Sequence, residues 1–268
     1  MSKINKGDIM SIINAILKKA VPLPDLLSYD SFLFVAPHPD DIEIGAGAMV
    51  ALLTKLDKKV TFLVATDGRY GTADESISPE RLVEIRREEQ IKSANILGVE
   101  KVEFLSFKDG GDYDLYAMTC EIAKAICRIR PQVVFAPDFT LTTELHADHL
   151  NVGKATANAF IMAEALHIAK GWGLECINCD AIAFYYTNKP NKIFKTKKGL
   201  KLAIKAIREH KSQFPPDEKG ENQSLKGIET YLKLRALRLG LKRFSLSACG
   251  FRVLGKTHAH CCPESESF

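Results

Sequence analysis

The four residues His38-Pro39-Asp40-Asp41 put an imidazole and two adjacent carboxylates at the end of an apolar run, Phe32-Leu33-Phe34-Val35-Ala36. One imidazole and one carboxylate are two of the three protein ligands that an open zinc site needs. The other carboxylate, beside the ion but not bound to it, can take a proton from the attacking water. The competing reading is a solvated turn in which an aspartate side chain caps the next helix. A second cluster weighs against that. His146-Ala147-Asp148-His149 spaces two histidines three apart at the start of a helix, so both can face one point. One of them completes a site of two histidines and one aspartate with positions open to water and substrate. Asp148, between them, suits a carboxylate that orients an imidazole.

The elements around these clusters must bring them together. The run from Phe32 to Ala36 reads as a strand buried on both faces, as in a parallel sheet. Pro37 ends it for lack of an N–H, and Pro39 pushes His38 toward an extended backbone. A helix over residues 43–56 carries Gly45 and Gly47 in its first turn, where the backbone must come close to something. A strand over 60–65 follows. Ser78 caps a helix with Pro79 at its first position, and Gly98 closes it. A strand over 101–107 precedes the stripe Leu115, Met118, Ile122, Ile126 and Ile129, which stops at Pro131. Another short strand, 133–136, leads through a loop to His146 and a long helix toward Lys170. Beyond lie a strand over 181–186, a helix over 199–211, a polar loop with Pro215-Pro216 and a helix near 227–239. Strands alternating with helices predict an α/β chain: three-layer, Rossmann-like, a mostly parallel sheet with helices on both faces. Both clusters then follow buried strands on one rim, where open α/β sheets bind ligands.

The chain of 268 residues reads as a single domain, with residues 1–28 as N-terminal helix and linker and 263–268 as a flexible tail. Its net charge of +4 is spread out, with no long basic tract interleaved with aromatics, so nucleic acid is not an expected partner. The lysines between positions 192 and 201 read as the solvated start of a helix. No apolar run approaches the roughly 20 residues of a membrane span. Ile9, Ile12, Ile13 and Ile16 recur at helical spacing, an amphipathic helix rather than a signal peptide. Seven cysteines, an odd number in a chain too large to need staples, predict free thiols in the reducing cytoplasm. Cys176-x-x-Cys179 lacks a second pair and reads as packing or surface.

The motifs resemble those of a known family, the zinc-dependent deacetylases related to LmbE and to the phosphatidylinositol-glycan class L enzyme. Pro37-His38-Pro39-Asp40-Asp41 followed by Glu43-x-Gly45-x-Gly47 is similar to the family's first signature. His146-Ala147-Asp148-His149 followed by Gly153 is similar to its second. Arg86, Glu89, Ala94 and Leu97-Gly98 resemble the helix between them; Ser212-Gln213-Phe214 and Phe251-Arg252-Val253 match more weakly. The resemblance implies that His38, Asp41 and His149 bind Zn²⁺. It implies that Asp40 is the general base, and that His146 is the general acid or the electrostatic partner of the oxyanion. The substrate is then the amide of an N-acetylated amino sugar, cut to a free amine and acetate, and the protein a homo-oligomer. In the family the arginine at the position of Arg86 points toward the substrate pocket; the alternative is a surface arginine paired with Glu89 or Gln90. Asp67 and Asp109, at the ends of two strands, are candidate groups for sugar hydroxyls or for orienting the groups that hold the metal. Two departures stand out. Ala147 replaces a common proline, and Cys249-Gly250 replaces Glu-Ala, which leaves the far wall of the pocket open.

Two alternatives remain at this point. Within the family, the substrate is N-acetylglucosaminyl-malate or -inositol, or a chitobiose. From another class, Gly45-Ala46-Gly47 after a strand, with Asp67 at the end of the next, has the spacing of a nicotinamide-binding Rossmann oxidoreductase. Against it, Val50 stands where the third glycine belongs. The segment Thr257-His258-Ala259-His260-Cys261-Cys262 reads as a stretch near the pocket mouth or an oligomer contact rather than a further metal site.

Overall fold

The apolar run is strand β1 (Ser31–Ala36), buried in every residue but the first. It pairs in parallel with β2 (Lys59–Thr66) on one side and β4 (Val133–Pro137) on the other. A strand with neighbours on both edges and helices on both faces has no solvent side, which is why its sequence does not alternate. β3 (Lys101–Phe107) extends the sheet beyond β2, and β5 (Ala181–Tyr185) extends it beyond β4, both in parallel. β7 (Ala248–Gly255) joins β5 antiparallel, and β6 (Lys192–Lys195) forms the far edge. The order is β3-β2-β1-β4-β5-β7-β6. The chain runs outward from β1 to β3, then returns to β4 on β1's other side. The crevice at the carboxyl ends of β1 and β4 is therefore the topological switch point.

The computed structural model describes residues 6–72, 74–215, 222–260 and 262–264. Its central strands send alternate side chains into two cores. Phe32, Phe34, Phe62 and Phe135 pack with Met49, Val50 and Leu53 of α3 (Gly47–Lys55). Leu33, Val35 and Val134 pack with Ile122 and Ile126 of α5 (Leu115–Ile129) and with Val152, Ala155 and Ala159 of α6 (Ala147–Met162). Each fully buried side chain of this kind contributes about 1.5–3 kcal/mol. The strand that ends in the first cluster is thus held from both edges and both faces.

Several elements form as the sequence predicts. In α4 (Pro79–Ile96) the Ser78 hydroxyl accepts the Arg81 N–H, and Gly98 closes the helix at φ +78°. Others differ. The helix expected over 43–56 is two helices, α2 (Asp41–Gly45) and α3, broken at Ala46. A Cβ on Gly45 would lie 2.4 Å from the Tyr185 ring, and one on Gly47 3.0 Å from Ala203. The close approach is to a tyrosine of β5 and to α8 (Gly199–Ile207), so no room is left there for a dinucleotide's pyrophosphate. The helix toward Lys170 bends after Met162 and resumes as α7 (Leu166–Gly171), which returns Ala169 and Trp172 to the second core. The lysines from position 192 begin an edge strand, not a helix. Lysine blunts such an edge against pairing with another chain. β7, with glycines at 250 and 255, has no counterpart among the expected elements.

The expected last helix is longer, α9 (Gln223–Leu241). The N-terminal helix forms as α1 (Lys6–Ala20), with Ile12, Ile13 and Ile16 exposed. In α10 (Lys256–His260) His258 accepts the Gly255 N–H through Nδ1 and meets the Val21 carbonyl through Nε2, so it latches the sheet to the linker. Pro216, Cys261 and residues 265–268 of the expected tail lie outside the described residues. Six cysteines are described and all are free. Among the described residues no helix is long and apolar enough to cross a membrane.

Candidate active site

After β1 the chain turns sharply. The Pro37 carbonyl is held by the backbone N–H and hydroxyl of Thr66 at 2.9 and 2.8 Å. The Asp41 carboxylate accepts the His38 N–H at 2.9 Å and closes the turn. Asp40 is the residue before α2, yet its side chain makes no capping bond and its φ is +109°. The structure therefore leaves that carboxylate free for chemistry, unlike the simple capping turn that the sequence also allowed.

The two rim segments meet. His38 Nδ1 is 3.2 Å from Asp41 Oδ2, and His149 Nε2 is 3.3 Å from Asp41 Oδ1. One donor atom from each of His38, Asp41 and His149 lies within 4.8 Å of the others, close enough for the three to share one small cation. A second group of candidate donors shares His38: Asp109, His146 and Asp148. The hydrogen bonding decides between them. Asp148 already accepts the N–H groups of Gly110 and Gly111 at 2.9 Å each and the Tyr113 hydroxyl at 2.7 Å. Its Oδ2 also stands 3.0 Å from His38 Nε2, and Asp109 Oδ1 stands 3.1 Å from the same nitrogen. Asp148 is thus saturated, and its work is to hold His38 Nε2–H so that Nδ1 faces Asp41. Glu144 does the same for His149, with Oε2 at 3.0 Å from Nδ1. A carboxylate behind each imidazole is the arrangement that fixes metal-binding histidines. Two imidazoles, one carboxylate and two orienting carboxylates fit zinc.

Charge follows the same geometry. Burial works against a charged His149, but the Asp41 carboxylate outweighs it and raises the imidazole to about 9. His38, against the same burial, is raised well above its usual value by Asp109, Asp148 and Asp41. Asp41 falls well below the usual carboxylate range, since His149 and His38 overcome its burial. For Asp40 burial dominates and pushes the carboxyl up to about 6; Arg86 opposes this and Asp41 adds to it.

His146 caps α6: its Nδ1 accepts the Asp148 N–H at 3.3 Å. The neutral ring must then carry its proton on Nε2, the nitrogen left for chemistry. The ring is half exposed, 4.8 Å between centroids from His38 and 5.0 Å from His149. Arg86 is buried. It donates to the Pro39 and Gly68 carbonyls at 2.6 and 3.1 Å and lies 3.6 Å from Asp40 Oδ1. It braces the turn and flanks the Asp40 carboxylate, and Glu89 is bonded to Ser212 instead. Asp67 pairs with Arg69 at 2.6 Å. Asp109, beside His38, also accepts the Tyr70 N–H at 3.3 Å. Neither aspartate belongs to the His38–Asp41–His149 triad.

Sequence reasoning passed over Glu144, Tyr113 and Tyr186. The Tyr186 hydroxyl donates to Asp41 Oδ1 at 3.1 Å, and its ring stacks on His149 at 5.6 Å. Its position at the rim end of an expected strand was the available signal. A groove of about 640 Å³ opens beside His149 and Tyr186 and runs to Tyr231, Arg235 and Arg238 of α9.

The model of the PIG-L family, described as GlcNAc-PI de-N-acetylase, matches residues 33–160, which span both rim segments. The diacetylchitobiose deacetylase of Thermococcus kodakarensis is 35% identical over 238 residues, 86% of this chain and 85% of that protein. The 1D-myo-inositol 2-acetamido-2-deoxy-alpha-D-glucopyranoside deacetylase of Kineococcus radiotolerans is 29% identical over 49% of this chain and 45% of its own. Among solved structures, the N,N'-diacetylchitobiose deacetylase from Pyrococcus horikoshii, complexed with an inhibitor, superposes with a TM-score of 0.86 at 30% identity, covering 100% of both chains. On signatures, fold and rim geometry together, the chain belongs to the PIG-L family of de-N-acetylases.

Proposed function

We propose that this protein is a zinc-dependent hydrolase that removes the acetyl group from an N-acetylglucosamine-type amide, releasing the free amine and acetate. The observation that carries the reading is the meeting of His38, Asp41 and His149 beside an uncapped Asp40. The three would hold the ion. When bound, zinc acidifies water and polarises a carbonyl, the two things amide hydrolysis needs most.

The chain's own groups do the rest. Asp40 takes the proton of the attacking water. A carboxyl near 6 is mostly ionised at neutral pH and still basic enough to accept a proton well. Arg86 behind it favours the charged form. His146 presents Nε2–H to the oxygen that gains charge, and the proton that Asp40 took from the water passes to the departing nitrogen. Asp148 and Glu144 keep the two ligand imidazoles in register.

The substrate class follows the relatives, whose names describe N-acetylated amino sugars. One observation favours a second reading, a sugar joined to an acidic group such as malate: the groove beside His149 carries two guanidinium groups, Arg235 and Arg238. Six free thiols support the cytoplasm, and the exposed apolar residues of α1 and α9 support a homo-oligomer. The test is acetate release from diacetylchitobiose and from N-acetylglucosaminyl-malate and -inositol, before and after chelation. Chelation should stop turnover and zinc restore it. Asp40→Asn should keep the metal and lower kcat by about 10²–10⁴-fold. Acetate release that survives complete metal removal overturns the reading.

A further inference from the structure

The turn that carries Asp40 is gripped through a single peptide unit. At φ +109° Asp40 sits where residues with a Cβ are rarely found, and its carboxylate makes no local bond that would hold it there. Helix α4 supplies the hold. Arg86 Nη2 donates to the Pro39 carbonyl at 2.6 Å, and Gln90 Oε1 accepts the Asp40 N–H at 3.0 Å. The two side chains are four residues apart, so they leave one face of the helix and clamp the Pro39–Asp40 peptide from both ends.

Only one end of a glutamine amide can accept, and something must keep that end toward Asp40. Glu43 does so. Its Oε1 lies 2.6 Å from Gln90 Nε2 and 2.7 Å from Ser93 Oγ. A carboxylate accepts and does not donate, so Gln90 must turn its NH₂ to Glu43 and its oxygen to Asp40. Gln90, Ser93 and Glu43 are fully buried. Glu43 Oε2 has no partner, and the nearby His210 ring reaches only to 3.8 Å of Oε1. Burying a carboxylate with an unpaired oxygen is unfavourable, and an apolar side chain would avoid it. Local rules broken in this way cluster where function requires them.

We propose that Glu43 is a positioning residue: through Gln90 it fixes the Asp40 peptide and so aims the carboxylate of the base. It touches neither substrate nor metal. The proposal rests on Asp40 being that base.

Glu43→Gln keeps the shape but frees the Gln90 amide to reverse. We expect kcat to fall at least tenfold, since small misplacements of a catalytic group are costly. KM should stay within about twofold, with bound zinc and unfolding temperature near those of the parent. The double variant Glu43→Gln with Gln90→Glu exchanges donor and acceptor along the same path, and should recover most of the lost kcat. Gln90→Met, which cannot accept, should reproduce the loss if Glu43→Gln does not fold. Ser93→Ala removes a bond to Glu43 without freeing Gln90, so it should cost stability and leave kcat within about twofold. Parental kcat in Glu43→Gln or Gln90→Met overturns the proposal, as does a double variant no better than the single. Asp40→Asn, measured alongside, separates the two ideas. Full turnover in that variant removes the base assignment itself. A dead Asp40→Asn with an unimpaired Glu43→Gln removes only the positioning role.

Discussion

The two rim segments supply the same kind of side chain in opposite settings. The turn after β1 is built in: His38 is 7% and Asp41 4% exposed, gripped by Thr66 of β2 and by Arg86 and Gln90 of α4. The segment after β4 is hung out: Leu145 is 88% exposed and His146 half exposed, and Glu144 and Asp148 do the holding. The contrast separates two tasks. On the proposed roles both segments place the cation, His38 and Asp41 from the first and His149 from the second. Giving a hydrogen bond to a substrate that must enter and leave requires a group at the solvent edge, and there the second segment offers His146.

The largest effects test this division directly. Asp41→Ala removes the carboxylate between the two histidines. Bound zinc, measured by elemental analysis, should be lost and acetate release should fall to background. His146→Ala should instead keep one zinc per chain while kcat falls by about 10²–10⁴-fold. If the His146 variant also loses its metal, the division between holding and delivering is wrong.

A smaller effect lies in protons. In the chelated protein His149 titrates at about 9 and His38 well above its usual value. His149 therefore holds a proton at pH 7.5, and zinc must displace it, so binding should release at least about one proton. Calorimetry in two buffers of unlike ionisation heat reads this number; a release of none contradicts the ligand set. The same shift sets a trend in stability. A histidine raised on folding stabilises fully below its unfolded value near 6.5, and that contribution fades as pH rises through 9. The unfolding temperature of the chelated protein should therefore fall between pH 6.5 and 9. The zinc-loaded protein should not show this contribution, because its ligand imidazoles are already neutral.

What could be seen in the sequence divides along the same line. β1 and its turn are legible because burial on both faces leaves an uninterrupted apolar run and because proline marks its end. The capped helix from Pro79 and the stripe of α5 are legible for similar local reasons. The antiparallel edge is not: Lys192 and Lys195 flank a short strand whose pairing depends on β7, more than fifty residues later. The proposed ligands announce themselves by type and spacing. Their holders do not, since Glu144 and Tyr186 are ordinary residues until the fold sets them against His149 and Asp41. Arg86 shows the limit most clearly. The family resemblance implied that it points toward the substrate pocket, but only the structure shows its guanidinium spent on two backbone carbonyls and the flank of Asp40.

Tyr186 allows the finest test of the division. It touches both halves: its hydroxyl donates to Asp41, and its ring lies parallel to His149 with an interplanar angle of 5°. Tyr186→Phe keeps the stack and removes the hydroxyl. A hydrogen bond of this kind contributes about 0.5–1.5 kcal/mol, which is roughly a 2- to 13-fold change in an equilibrium constant. If the hydroxyl merely steadies a ligand already fixed by the turn, zinc affinity should weaken within that range and kcat of the zinc-saturated enzyme should hardly move. A kcat loss of a hundredfold at saturating zinc would place the Tyr186 hydroxyl among the groups that act on substrate, and the delivering half of the site would then extend across the groove toward α9.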